Sequence, residues 1–154
     1  MGNTHKKNKK IKKKESDDYI LISSLKNAKN KYMGNKHLIC DDASTNRIVL
    51  GKFLTSFNCK YDEANNGKEA IEKVKEYGPY SIIWMDIKMP IMDGLEATRE
   101  LRNEMEYDGI IIGLTGYVDE HNINKCHKAG INQVVAKPFD ATVIEMYVNE
   151  NKLM

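Results

Sequence analysis

The sequence has no apolar run approaching the length of a membrane span, and its charged N-terminus has no apolar stretch behind it, so neither a spanning helix nor a secretory leader is expected. Cysteine is scarce. Cys40, Cys59 and Cys126 are an odd set without paired or metal-ligand spacing, which suits a reducing compartment better than a disulfide framework. The four histidines, His5, His37, His121 and His127, share no motif, and none is assigned chemistry; His121 and His127 are expected as exposed residues of one helix. Met1-Gly2 lacks the Ser or Thr that N-myristoylation requires, Lys6 standing in its place. A chain of 154 residues holds one ordinary domain with a core of its own and has no room for a kinase beside it. The expectation is a cytoplasmic protein with one function.

Charge is unevenly spread. Residues 1 to 35 carry ten lysines against Glu15, Asp17 and Asp18, a net +7, while residues 36 to 154 carry fourteen basic and nineteen acidic groups, a net −5. Seven of the nine positions from Lys6 to Lys14 are lysine, so this segment repels itself and has little apolar surface to bury. Residues 1–31 are therefore expected to be a largely disordered tail, with a short helical pattern at Ile20, Leu21, Leu25 and Ala28. Such a tail is open to weak contact with nucleic acid or an anionic surface, or is a solvated tail with no specific role.

The informative stretch runs from Ser81 to Gly94. Ser81 to Met85 is apolar, β-branched at Ile82 and Ile83, and too short for a helix, as befits a strand buried on both faces. Asp86 follows it, and Pro90 with Asp93-Gly94 turns the chain out of the sheet. The same pattern recurs: His37 to Cys40 ends in Asp41-Asp42, Ile110 to Leu114 in Thr115-Gly116, and Val134 to Ala136 in Lys137-Pro138-Phe139. Helical spacing separates these strands. Ile48, Val49, Phe53, Leu54 and Phe57 form the first pattern, with Ser44 or Thr45 as its cap; Ala70, Ile71 and Val74 form the second; and Leu95, Thr98 and Leu101 mark the third. A further strand spans about Cys59 to Ala64. Asp119 to Ala129, stopped by Gly130, and a last helix capped by Asp140 complete five strand–helix pairs. Right-handed crossovers favour a flavodoxin-like α/β fold, a doubly wound five-stranded parallel sheet of order 2-1-3-4-5. Asp41, Asp42, Asp86, Thr115 and Lys137 then meet at one sheet edge, where ligands bind in open α/β sheets. Each has a plainer reading alone: the acids and Thr115 as helix caps, Lys137 as a strand-end lysine.

Together these four motifs, with Met85-Asp86-Ile87-Lys88-Met89-Pro90-Ile91-Met92-Asp93-Gly94 at their centre, resemble the receiver domain of two-component response regulators over about residues 36–150, leaving 151–154 as a short C-terminal end. Asn46-Arg47 adds a resemblance to receivers served by hybrid histidine kinases. The resemblance implies a phosphoryl-accepting signalling domain that catalyses only its own phosphorylation and dephosphorylation. It takes the group from a phosphohistidine, on a histidine kinase or a histidine phosphotransfer protein, and signals to an unknown downstream partner or passes the group on. Clustered carboxylates without histidine or thiolate suit a hard cation, here Mg²⁺. By the resemblance, Asp86 is the phosphoacceptor and, with Asp42 and the Lys88 backbone carbonyl, a direct metal ligand, Asp41 acting mainly through water. Lys137 offsets the charge of the transferred group, and Thr115 hydrogen-bonds it beside the small Gly116. Lys88 and Tyr117 flank the path of the hydrolytic water and are expected to tune the lifetime of the phosphoryl group.

One departure from the pattern bears on output: Val134 stands where receivers carry an inward-turning aromatic. The sequence is expected to carry no output domain after the last helix. A magnesium-dependent aspartyl-phosphate hydrolase is the alternative from another class, but that family places a second Asp two residues past the nucleophile, where Lys88 stands here. A pseudo-receiver that only binds partners is opposed by the complete acid, Thr and Lys set.

Overall fold

The computed structural model describes residues 35–153. The order is β1 (Lys36–Cys40), α1 (Ser44–Ser56), β2 (Lys60–Ala64), α2 (Gly67–Tyr77), β3 (Ile82–Asp86), α3 (Gly94–Asn103), β4 (Ile110–Thr115), α4 (Glu120–Ala129), β5 (Gln133–Ala136) and α5 (Ala141–Leu153). All strand pairs are parallel and the sheet order is β2-β1-β3-β4-β5, the doubly wound arrangement expected. The lysine-rich segment and the helical pattern before residue 32 lie outside the described residues.

Period-two alternation in buried strands sends consecutive side chains to opposite faces. Leu38, Cys40, Ile83, Met85 and Ile111 pack on one face with Ala70, Ile71 and Val74 of α2, Ala97 and Leu101 of α3 and Cys126 of α4. Ile39, Ile82, Trp84, Ile112, Leu114 and Val135 pack on the other with Leu50 and Leu54 of α1 and Ile144 and Val148 of α5. Both sheet faces are thus covered, as a parallel sheet requires. Helix ends are also local: Asn66 and Asp119 accept the backbone N–H groups of Glu69 and Asn122, Asp93 and Glu96 close a reciprocal capping box, and Gly130 ends α4 at φ 108°.

α1 differs from expectation in two ways. Ile48 and Val49 are 52% and 49% exposed, and the inward stripe is Leu50, Gly51 and Leu54. Gly51 lies on that stripe against β2, where a Cβ would meet the end of the Tyr61 ring. The N-cap is Ala43, without a side-chain hydrogen bond, rather than Ser44 or Thr45; Asp41 Oδ1 accepts the Ala43 N–H instead, at 2.9 Å.

A buried phenol anchors the sheet before β3. Tyr80 is fully buried and donates to Asp62 Oδ2 at 2.6 Å, and that oxygen also meets Lys36 Nζ at 2.8 Å. Burial works to raise the Asp62 pKa, but the hydrogen bonds from Lys36 and Tyr80 outweigh it and the net shift is downward. A depressed carboxylate stabilises the fold above its unfolded pKa and loses that contribution as pH falls through the folded value. Tyr80→Phe should therefore cost about 1.5–3 kcal/mol at neutral pH, as expected for a hydrogen bond to a charged group, and less once Asp62 is protonated. Urea unfolding of both proteins at pH 7 and at a pH well below the ordinary carboxylate range checks this. An unchanged difference would show that the ionised carboxylate is not what the phenol stabilises.

Candidate functional site

The register determines which residues meet. Cys40 pairs with Met85, so Asp41 stands level with Asp86 at the carboxyl ends of neighbouring strands. Asp86 pairs with Leu114 and Thr115 with Ala136, which sets Thr115 and Lys137 one step further along β4 and just past β5. Backbone bonds hold the exits in place: Asp41 N–H to Ala64 O at 3.1 Å, Ile87 N–H to Leu114 O at 3.2 Å and Lys137 N–H to Thr115 O at 2.8 Å. α3 begins beneath the acid, where a Cβ on Gly94 would strike the Asp86 carbonyl, so the turn after β3 closes only over glycine. A Cβ on Gly116, by contrast, would meet nothing within 4 Å, which leaves open space beside Thr115.

Asp41, Asp86 and Thr115 are buried and Asp42 is exposed at the mouth. Lys137 Nζ lies 3.1 Å from Asp86 Oδ1 and 3.2 Å from Asp41 Oδ2. One oxygen from each of Asp41, Asp42 and Asp86 falls within 4.8 Å of the others. Three carboxylates facing one ammonium leave a local charge of −2. Burial is the largest influence on the Asp86 carboxyl and raises its pKa; Lys137 pulls it back, Asp41 adds to the rise, and the net direction is up. Burial alone would lower the Lys137 pKa, but the charges of Asp86 and Asp41 outweigh it and the net shift is upward, so the lysine is held as ammonium. An anionic pocket of this kind gains from added positive charge.

The donor set fits Mg²⁺. It is all oxygen, it carries the complementary charge, and its mouth is open on the side of Asp42, which lines a cleft with Ile87, Lys88, Met89, Pro90 and Asp93. Burial, then the charges of Asp41 and Asp86, push the adjacent Cys40 thiol far up, so it adds no thiolate.

The plainer readings of the site residues separate here. α4 is capped by Asp119, not Thr115, whose Oγ1 accepts the Tyr117 N–H at 3.1 Å. Lys88 directs its ammonium over the Tyr117 ring, 4.2 Å from the centroid, so these two residues meet across loops that are far apart in sequence. Val134 is half-buried against the same core as Ile87. The described histidines stay out of the site: His121 and His127 are exposed on α4, and His37 is buried with Trp84 Nε1 donating to its Nδ1 at 3.1 Å. Sequence reasoning gave Asn46 no place in the pocket, yet its side-chain amide lies 3.3 and 3.2 Å from the two Asp41 oxygens. The available signal was its position as the third residue of α1, from which a side chain reaches back past the helix start.

Residues 38–149 match the response regulator receiver domain family. The chain is 40% identical over 107 residues to the chemotaxis protein CheY of Halobacterium salinarum, covering 70% of this chain and 88% of that protein. It is 32% identical over 120 residues to the osmosensing histidine protein kinase SLN1 of Saccharomyces cerevisiae, covering 75% of this chain but only 10% of the kinase. Among solved structures it resembles the receiver domain of the response regulator Ssk1, crystallised with the histidine phosphotransfer protein Ypd1 from S. cerevisiae, with a TM-score of 0.72, 28% identity and coverage of 77% and 89% of the two chains. Acids, hydroxyl and ammonium converge at the carboxyl edge of a 2-1-3-4-5 sheet, and with these matches the chain belongs to the response regulator receiver domain family, the phosphoryl-accepting module of two-component signalling.

Proposed function

We propose that residues 36–150 accept a phosphoryl group from a phosphohistidine onto Asp86 in a Mg²⁺-dependent phosphorelay step, and then signal by binding a partner or passing the group on. The observation that carries this reading is Lys137 Nζ seated 3.1 Å from Asp86 and 3.2 Å from Asp41 in a cluster of three carboxylates. An Asp86 oxygen attacks phosphorus as the phosphorus–nitrogen bond to the donor imidazole breaks, and the electron pair leaves with the imidazole. The nucleophile is already ionised, so the barrier lies in alignment and in the charge gathering on the transferred oxygens. Lys137 is placed to offset part of that charge, and Thr115 Oγ1, beside the space at Gly116, accepts the Tyr117 N–H while its own O–H can be donated to a phosphoryl oxygen. Asp42, Asp86 and the Lys88 carbonyl would hold Mg²⁺ directly and Asp41 through water, the ion supplying the remaining counter-charge.

The donor is a histidine kinase or a histidine phosphotransfer protein. Support comes from the similarity to the Ssk1 receiver and from the exposed Ile48 and Val49, which open an apolar face on α1 directly after the two acids. No helix among the described residues is long and apolar enough to cross a membrane.

Mg²⁺ binding is tested by melting. An ion at about 100-fold over its Kd should stabilise the wild type by about 2.7 kcal/mol, or roughly 10 °C. Asp42→Ala should lose most of that shift and, freed of one repelling charge, melt higher than wild type in EDTA. An undiminished Mg²⁺ shift in the variant would place the ion elsewhere.

A further inference from the structure

Asp41 is 2% exposed, and its oxygens are already engaged. Oδ1 accepts the Ala43 N–H at 2.9 Å and the Asn46 amide at 3.3 Å; Oδ2 accepts the same amide at 3.2 Å and the Lys137 ammonium at 3.2 Å. A carboxylate offers about four lone-pair positions; the Asn46 amide is shared between the two oxygens, so with the Ala43 N–H and the Lys137 ammonium it takes up most of them and leaves room for a bridging water. The arrangement follows from how α1 begins. In a capping box the third helical residue reaches back to the N-cap N–H. Here the N-cap is Ala43, its N–H goes to Asp41, and Asn46 reaches past it to the same carboxylate. Facing an anion, the amide must present its NH₂. The backbone of Asp41 is secured separately, by Arg47 Nη1 on its carbonyl at 2.8 Å, with Arg47 Nε 3.3 Å from Glu63.

We propose that Asn46 is a positioning residue that occupies Asp41 and thereby keeps it from coordinating the divalent cation directly. The inference rests on the Mg²⁺ reading above. To bind Asp41 directly, an ion would have to compete with these donors for a buried carboxylate. With Asp41 so engaged, Asp42 and Asp86, the latter sharing only Oδ1 with Lys137, are left as the direct carboxylate ligands, and positions remain for water and for an incoming phosphoryl oxygen, as Mg²⁺ prefers in phosphoryl-transfer sites. Asn46 thus gives up affinity for the ion in favour of an open coordination sphere.

The direction of the effect separates this role from helix capping alone. Titration of MgCl₂ into the full chain by calorimetry should show a Kd lower on the order of tenfold for Asn46→Leu and for Asn46→Ala, the worth of one competing hydrogen bond to a charged group, while labelling by acetyl phosphate at saturating Mg²⁺ slows. Arg47→Ala, which loosens the Asp41 backbone but leaves its carboxylate occupied, should lower the melting temperature without tightening Mg²⁺. Unchanged or weaker Mg²⁺ binding in both folded Asn46 variants would overturn the inference and leave the receiver reading intact. A wild-type chain that takes up no Mg²⁺ would overturn both.

Discussion

Replacing Lys137 with Met should slow phosphorylation of Asp86 by acetyl phosphate on the order of 10²- to 10³-fold, the scale seen when a fixed group that stabilises developing charge is removed from a closed site. The lysine is well placed for this: its ammonium bridges Asp86 and Asp41, and the two carboxylates hold it protonated despite its burial. The same substitution should have the opposite effect on the cation. Without Lys137 the local charge falls from −2 to −3, so Mg²⁺ should bind more tightly even as the reaction slows. Lys137→Arg keeps the charge but exchanges a compact ammonium for a planar fork, and should recover part of the rate. Single-turnover labelling with a parallel Mg²⁺ titration reads both quantities. A rate within a few-fold of wild type would remove Lys137 from the chemistry.

The second large effect concerns the lifetime of the phosphoryl group. Hydrolysis needs a water in line with the bond to Asp86, and neither Lys88 nor Tyr117 brings a carboxylate or amide to orient one. The two side chains do not point apart: Lys88 Nζ sits over the Tyr117 ring and links the loop after β3 to the loop after β4. An exposed cation–π contact of about 0.5–1 kcal/mol keeps such a link closed roughly 70–85% of the time, so breaking it by Lys88→Ala should speed decay only a few-fold. Replacing Lys88 by Asn and Tyr117 by Glu removes the link and adds groups that can hold the water, and should shorten the lifetime by at least about tenfold. Decay is followed by intact mass after the donor is removed. A double variant that keeps its phosphoryl group as long as the wild type would show that these residues do not govern water access.

The site could be read early because each of its residues ends an apolar run. Parallel strands joined by helices put their carboxyl ends at one edge, so Asp41, Asp86, Thr115 and Lys137 were bound to meet once Ile82–Met85 and its counterparts were taken as strands. What stayed hidden depends on contacts between segments far apart in the chain. The spacing of Ile48, Val49, Phe53 and Leu54 suits several rotations of α1, and the packing of Leu50, Gly51 and Leu54 against the sheet leaves Ile48 and Val49 outward. The Lys88–Tyr117 contact joins two loops whose separation no periodicity encodes. His37 looked like any strand residue, and only the pairing of β1 with β3 brings it to Trp84. Asn46 reads as an ordinary polar residue of a first helical turn until the Asp41 carboxylate appears beside it.

The most direct measurement is the intact mass of the wild-type chain and of Asp86→Asn after incubation with Mg²⁺ and acetyl phosphate. The wild type should gain one phosphoryl group, stable in acid, lost in base and absent when EDTA replaces Mg²⁺, while Asp86→Asn should gain none. Equal labelling of the variant would contradict the assignment of Asp86 as the acceptor.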